Sequence, residues 1–467
     1  MTTGKYGGIG ALIQQQGDFV VISEPYKGFP ADKAGLIAGD KILKIDSKDM
    51  KGKTSSEISE LMKGEPGSSF EITVERYGES KPIVKNIVRE VVSIPSVSFY
   101  QVDNDSIGYI YFSSFTANSA NEFKNAYLQL NKEKPLKGLV IDLRGNGGGL
   151  LNEAVGIMSL FVPKGEHIVS TKGRIASKNQ IHNTMTPPID TEIPIAVLVN
   201  GGSASASEIL SGSMQDLDRG IVVGQRTFGK GLVQNIVPTA YNSQMKVTVA
   251  KYYIPSGRCI QAIDYDHKDE DGNWEKVPDS LMTKYYTKNG REVWDGAGIQ
   301  PDVEIEPEDS GEITTSLYVN FHISNFATKY FIEHQNDSID PKSFRITDEI
   351  WNDFVNYIHD KEYNYETYTE KQLNKFIEST KLSDNYEDFE DEIVSLQNAI
   401  TEAKSDDLTK YRKSIEYLLG IEIVTRYCYE QGKVEFSLND DPIYDKAVEI
   451  LKDSEQYKAI LTNTDNQ

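Results

Sequence analysis

The sequence predicts a multidomain protein of mixed α/β and α+β class with a mainly helical C-terminal third. Three observations lead there. A chain of 467 residues has room for about three domains. Two continuous apolar runs, Leu139-Val140-Ile141-Asp142-Leu143 and Ile195-Ala196-Val197-Leu198-Val199, read as strands buried on both faces, and a helix-compatible stretch follows each. Charge is also uneven. Residues 307–467 hold 34 acidic against 16 basic side chains, a net of −18 out of −22 for the whole chain. That shift places a boundary near Pro307.

Composition narrows the function classes. With 38% apolar and 10% aromatic residues the chain can build real cores, which excludes wholesale disorder. No apolar run approaches the length of a membrane-spanning helix. A chain this acidic repels nucleic acid and anionic lipid, so neither is expected as a partner. Two distant cysteines, Cys259 and Cys428, make neither a disulfide framework nor a zinc site. Six scattered histidines form no metal-ligand spacing, so no metal is expected.

The first domain is expected at 6–90. Phe19-Val20-Val21-Ile22 is strand-like. Pro30-Ala31-Asp32-Lys33-Ala34 reads as a short helix capped by Gly35, and Lys41-Ile42-Leu43-Lys44-Ile45 alternates as a strand does. A helix over 57–62 ends at Gly64, and Phe70-Glu71-Ile72-Thr73-Val74-Glu75-Arg76 alternates again. The second domain, 91–306, adds a strand at 107–112, a helix at 120–130 and the two buried strands. A polar excursion runs from 264 to 294, where Asn289-Gly290 predicts a type I′ hairpin. In the third domain, 307–467, Thr347 is placed to cap a helix presenting Ile350, Trp351, Phe354 and Ile358. Thr369 and Gln372 fit a capping box, 408–431 is a long periodic stretch stopped by Gly432, and Pro442 begins another helix. The acidic run 386–392 reads as a solvated face, with a binding patch as the alternative.

Three stretches can carry chemistry. The first is Asn200-Gly201-Gly202-Ser203-Ala204-Ser205-Ala206-Ser207-Glu208, which leaves a buried strand, turns on glycines and enters a helix. The free N–H groups of a helix start suit an oxyanion, and a serine there is placed as a nucleophile or, equally, as an N-cap. The second is Thr227-Phe228-Gly229-Lys230-Gly231-Leu232-Val233-Gln234. Burial can lower a lysine pKa by up to about 3–5 units and so make a base of it. In a strand Gln234 would share the face of Lys230, because side chains alternate. A surface lysine in a turn is the plain alternative. Residues 224–230 also fit G-x-x-x-x-G-K, but Gly231 stands where a phosphate loop needs Ser or Thr, and a strand rather than a helix follows. The third stretch is Asp142-Leu143-Arg144-Gly145-Asn146-Gly147-Gly148-Gly149-Leu150-Leu151, whose glycine amides could bind an anion or form an oxyanion hole, with a plain flexible turn as the equal alternative. No G-x-S-x-G elbow occurs and no histidine sits in a motif, so the histidine-based triad has no counterpart here.

In order along the chain, these motifs resemble the carboxy-terminal processing peptidases, or tail-specific proteases, of serine peptidase family S41. The resemblance rests on "PADKAGLIAGDKILKID", which resembles a PDZ domain, followed by "DLRGNGGGLL", "VNGGSASASEIL", "TFGKGLVQ", "YYIPSGRCIQ" and "GIQPDVEIE". It implies a PDZ domain, a ClpP/crotonase-like α/β protease core with a capping region, and a Ser/Lys dyad without metal or cofactor. By that resemblance Ser205 is the nucleophile, Lys230 the general base and Gln234 its assistant. The N–H of Ala206 and that of Gly148 or Gly149 are the oxyanion donors. Gly147 stands where the family often has proline, which leaves the loop less preorganised. Gly8, Ile9 and Gly10 match the loop that captures a peptide's terminal carboxylate.

The expected function is therefore a serine endopeptidase that recognises substrates by apolar C-terminal tails. The alternative is a catalytically silent PDZ-containing scaffold on a protease fold, and a third option is a Ser/His peptidase using His167 or His182. The expected partners are protein or peptide substrates, with the acidic C-terminal domain open to an adaptor or to self-association. Kinship implies a periplasmic or cell-envelope location, reached after loss of a leader that the N-terminus does not show.

Overall fold

The computed structural model describes residues 5–240, 243–268, 274–383 and 385–462. Contacts divide the chain into two compact units, each interrupted in sequence. One comprises Ser93–Pro307 and Asp440–Gln467 with the N-terminal residues, and the other Tyr6–Val92 and Glu308–Asn439. The stretch read as one helical domain, 307–467, is thus shared between them.

The unit containing 6–92 begins with a sheet whose strands run in the order Ala11–Gln16, Phe19–Pro25, Lys41–Ile45, Ser69–Glu75, Ile83–Val88. Every neighbouring pair on that path is antiparallel. Alternation along 69–75 puts Phe70, Ile72 and Val74 inside against Ile42, Ile58 and Leu36. The short helix Pro30–Lys33 is followed by Gly35 at φ 73°, a left-handed position that glycine takes at little cost. Helix Ser55–Met62 starts on a full capping box, with Thr54 Oγ1 accepting from the Glu57 N–H and Glu57 accepting from Thr54.

The same unit's helices pack around Phe326, Trp351, Phe354, Leu317, Leu419 and Ile423. Thr347 caps helix Asp348–Ile358 as the sequence predicts. Two expectations need correction. The capping box at the next helix is Thr367 with Glu370, two residues ahead of the predicted pair, and helix Tyr368–Leu382 starts accordingly. Nor does Gly432 end the long helix. Arg412–Ser437 runs through it, and the break lies at Tyr429, at φ 57°, whose hydroxyl donates to Asp32 at 2.7 Å. A Cβ at Gly432 would meet the Cys428 Cβ at 2.1 Å, so this glycine permits a close approach inside the helix.

In the other unit a six-stranded sheet runs in the order Val303–Glu304, Ile221–Gly224, Ile195–Val199, Gly138–Asp142, Ile107–Phe112, Val97–Val102. The first five are mutually parallel and only Val97–Val102 is antiparallel. The two central strands are buried along their whole length, as their unbroken apolar runs require. Helices Ser119–Glu133, Leu151–Met158 and Ala206–Asp216 supply Phe123, Ile157 and Leu210 to this core. A second, antiparallel sheet has the order Gln180–Asn183, His167–Lys172, Gln244–Tyr253, Leu232–Pro238.

The hairpin at Asn289-Gly290 exists, but not with the predicted turn. Lys284–Tyr286 pairs with Glu292–Trp294, and only Gly290 has positive φ, whereas type I′ needs two such residues. The Thr287 N–H donates to the Arg291 carbonyl at 2.9 Å and the Gly290 N–H to Thr287 at 3.0 Å, which makes a three-residue loop. The opening residues 1–4 and part of the polar excursion, 269–273, lie outside the described residues. Among the described residues no helix is long and apolar enough to cross a membrane.

Candidate active site

Three adjacent parallel strands end on the same side of the sheet, and each delivers one of the three motifs. Gly138–Asp142 leads into the glycine loop, Ile195–Val199 into the serine turn, and Ile221–Gly224 into the loop that carries Lys230. The carboxyl ends of parallel strands are where α/β sheets present their sites.

Side-chain and backbone bonds stitch the first two loops together. The Gly145 and Gly202 N–H groups both donate to Asn200 Oδ1 at 3.0 Å. Asn146 is buried, donates from Nδ2 to the Phe112 carbonyl, and receives at its own carbonyl the Ala204 N–H at 3.0 Å and the Ser207 hydroxyl at 2.8 Å. Gly148, at φ 93°, lies so close to the serine turn that a Cβ there would fall 2.7 Å from the Ser205 Cβ and 2.8 Å from the Ala206 nitrogen. Only glycine fits that position, on steric and conformational grounds alike.

The three serines have different work. Ser203 Oγ donates to the Leu143 carbonyl and accepts from the Asn200 N–H, and Ser207 Oγ donates to Asn146; both residues are fully buried. Ser205 is half-buried at φ 60°, ψ −113°, and heads the helix in a capping-box arrangement with Glu208. The Glu208 N–H donates to the Ser205 carbonyl at 2.9 Å. Ser205 Oγ lies 2.9 Å from the Tyr252 hydroxyl. Tyr252 is only 3% exposed, and burial, the largest influence, raises its pKa, so the phenol is no base at neutral pH.

Glu208 joins the serine turn to the lysine loop. Its carboxylate is 0% exposed and accepts four hydrogen bonds, from Ser205 N–H (2.8 Å), Thr227 Oγ1 (2.6 Å), Gly229 N–H (2.7 Å) and Lys230 N–H (2.9 Å). Burial pushes its pKa up, and the four donors oppose that rise. The two loop amides that a phosphate would need are therefore already turned to an internal carboxylate, which disfavours the phosphate-loop reading.

Lys230 is half-buried, and among the described residues its amine makes no hydrogen bond or ion pair, to Ser205 or to any other group. Gln234 is exposed and is not bonded to Lys230. The predicted alternation between them is interrupted, because the strand begins only at Leu232 and a bulge falls between Val233 and Gln234. Among possible oxyanion donors, the Gly148 N–H is taken by Asn146 Oδ1 at 2.9 Å, whereas those of Gly149 and Ala206 have no partner among the described residues. A groove of about 360 Å³ opens between Leu150 and Leu151 on one side and Val233, Asn235 and Val249 on the other. His167 bonds Ser170 at 2.7 Å and His182 lines that groove; neither is bonded to Ser205.

Sequence reading passed over Glu208, Asn146 and Tyr252. Glu208 did carry a signal, since it stands three residues after Ser205 in an S-x-x-E pattern ahead of an apolar stretch. Nothing in "VTVAKYY" distinguishes Tyr252 from its neighbours.

In the other unit, the buried residues 8–10 comprise Gly8, which ends strand Lys5–Gly8, and the two residues that join it to strand Ala11–Gln16. The Ile9 carbonyl accepts from the Ala31 N–H and that of Gly10 from the Tyr26 N–H, both at 2.8 Å, and Gly10 has φ 69°. The following strand, Ala11–Gln16, is an edge strand of its sheet and contacts helix Ser55–Met62.

Residues 106–268 match the model of peptidase family S41, residues 21–76 that of a PDZ domain, and residues 313–451 that of a probable PDZ-protease C-terminal helical domain. A carboxy-terminal-processing protease of Bartonella bacilliformis is 40% identical over 265 residues, covering 56% of this chain and 60% of that one. A probable CtpA-like serine protease of Staphylococcus aureus is 36% identical over 259 residues, covering 55% and 51%. Among solved structures, a photosystem II D1 C-terminal processing protease is 31% identical, covers 66% of this chain and 74% of that one, and superposes with a TM-score of 0.37. The matched region thus spans less than two-thirds of the length of these curated relatives.

Proposed function

We propose that this chain, which belongs to peptidase family S41, is a serine endopeptidase with Ser205 as nucleophile and Lys230 as general base. One observation carries the reading. Of the three serines in the turn after Ile195–Val199, Ser205 alone has a hydroxyl that is not donated to a backbone carbonyl.

In the proposed reaction Ser205 Oγ attacks a peptide carbonyl carbon while its proton passes to the Lys230 amine. The oxyanion formed is held by the N–H groups of Gly149 and Ala206, the pair we assign because the Gly148 N–H is already engaged. Collapse breaks the C–N bond, and the leaving amine takes the proton back from the lysine. Water then hydrolyses the acyl-enzyme by the same base, releasing a new carboxylate and restoring Ser205. Gln234 would assist Lys230 after a local rearrangement of the bulged strand. The substrate tail would add to the edge strand Ala11–Gln16, its carboxylate meeting the loop of Gly8, Ile9 and Gly10. Apolar C-termini are the substrate class that goes with this reading, and the cell envelope or periplasm its location.

One observation favours a second reading. The Ser205 hydroxyl pairs with Tyr252 and not with Lys230, which suits a protein that binds tails without cutting them. Incubation of the full chain with an unstructured, apolar-tailed peptide separates the two. Wild type should cleave it and Ser205→Ala should only bind it. Equal cleavage by both sinks the Ser205 assignment, and binding without cleavage by wild type establishes the scaffold.

A further inference from the structure

The glycine loop that packs on Ser205 begins with Arg144, whose guanidinium serves two carboxylates from distant parts of the chain. Asp142, on the preceding strand, accepts from Nη2 at 2.6 Å and from Nε at 3.0 Å, and also takes the Tyr109 hydroxyl at 2.7 Å. Asp441 forms an ion pair with the same Nη2, its Oδ2 2.7 Å away. Both carboxylates are buried, Asp142 at 2% and Asp441 at 7% exposure. Asp441 arrives almost three hundred residues later, where the chain returns to this unit at Asp440. Its other oxygen caps helix Pro442–Lys452 through the N–H groups of Ile443 and Tyr444, at 3.0 and 3.1 Å. Tyr444 stacks edge-on against Tyr109, with ring centroids 5.4 Å apart. One carboxylate therefore fixes a helix start with one oxygen and the root of the glycine loop with the other.

Arg144 would be charge-balanced by Asp142 alone. A second buried carboxylate costs desolvation that a merely structural ion pair does not require. What it adds is geometry, because a planar guanidinium held from two sides cannot swing. One residue further on, the loop is pinned at Gly145, and three beyond that Gly148 presses on Ser205.

We propose that Asp441 is a positioning residue for catalysis: through Arg144 the returning C-terminal segment holds the loop 145–149 in register with Ser205. This rests on the Ser205 reading above.

The test uses the full chain with Asp441→Asn, which keeps the cap oxygen and the shape but removes the charge and leaves Arg144 paired to Asp142. The expected result is a kcat lower by about tenfold with KM within about twofold, since small misplacements of a catalytic group cost rate rather than binding. Hydrogen exchange at the amides of 145–149 should quicken. Tyr457→Phe is the control, because its hydroxyl docks the same segment on the Ile195 N–H at 3.0 Å, at the start of a central strand. It should lower thermal stability and leave kcat alone. If Asp441→Asn does not fold, Asp441→Ser, which retains a capping oxygen, takes the same readings. Wild-type kcat with unchanged exchange overturns the proposal, as does an equal loss of kcat in Tyr457→Phe. Ser205→Ala in the same assay separates the two claims. If it cleaves normally the dyad fails, while the exchange rates at 145–149 still decide the brace.

Discussion

The two halves of the candidate dyad are built to different standards. Around Ser205 the neighbouring polar groups are committed. Asn146, Asn200, Ser203 and Ser207 are bonded into the two loops, and Gly148 is in contact at a distance only glycine allows. Around Lys230 only the backbone is held. Its N–H is gripped by Glu208, while its amine has no partner among the described residues and its strand is bulged two residues after it begins. Beyond the bulge Ile236 is 63% exposed and Val237 42%. On the proposed reading, a nucleophile set in a rigid frame and a loosely held base make a catalyst that the base side can switch.

The largest test of that contrast is Lys230→Ala. Peptide turnover should fall by at least about a thousandfold, with folding and tail binding intact, since removing one member of a nucleophile–base pair removes most of the chemical step. Calorimetric titration with a non-cleavable tail peptide checks the binding. Loss of binding together with turnover would mean that the base side is not the independent element described here.

Next comes Glu208→Gln, which attacks the joint between the two halves. An amide can keep one oxygen as acceptor but turns a donor toward two of the four donors now satisfied. Leaving buried donors unpaired costs about 1–3 kcal/mol, and kcat should fall by about ten- to a hundredfold. The pH dependence sharpens this. Burial raises the folded pKa of Glu208, so it takes a proton at higher pH than it would in the unfolded chain. As pH falls through that window the folded state binds more protons than the unfolded, and this group's contribution to stability increases. Activity should move the opposite way, because a protonated Glu208 no longer accepts all four donors. Turnover and melting temperature measured between pH 4 and 8 should diverge in wild type and cease to diverge in the glutamine variant.

Residue patterns made much of this fold and site legible, and what stayed hidden has physical causes. The strands 139–143 and 195–199 could be read because burial on both faces demands an unbroken apolar run. The glycine loop and serine turn could be read because close backbone approach demands small residues. Gly432 misled because a glycine after a periodic stretch is usually a stop, whereas here it clears space for Cys428 within the helix. Thr369 misled because Thr367 fits the capping pattern equally well; Lys404, thirty-four residues from Glu370 and bonded to its carboxylate at 2.9 and 3.0 Å, supports the earlier pair. The bulge at Gln234 and the return of Asp441 to the glycine loop depend on partners remote in sequence, so no local pattern encodes them.

The smallest expected effect is also the one that most directly probes the contrast. The Tyr252 hydroxyl lies within hydrogen-bond distance of the Ser205 hydroxyl, at 2.9 Å, and its phenol is too weak an acid and too poor a base to activate it. If the phenol donates, it occupies a lone pair that would otherwise attack. If it accepts, it points the serine proton away from Lys230. On the proposed reading, either arrangement restrains the nucleophile. Tyr252→Phe removes only that oxygen, at a stability cost of about 0.5–1.5 kcal/mol for one lost hydrogen bond. Labelling of Ser205 by a fluorophosphonate should then quicken by roughly two- to fivefold, a barrier change of under about 1 kcal/mol. A loss of more than tenfold would reverse the assignment. Tyr252 would then orient Ser205 for attack, and the rigid frame around the nucleophile would be incomplete without its hydroxyl.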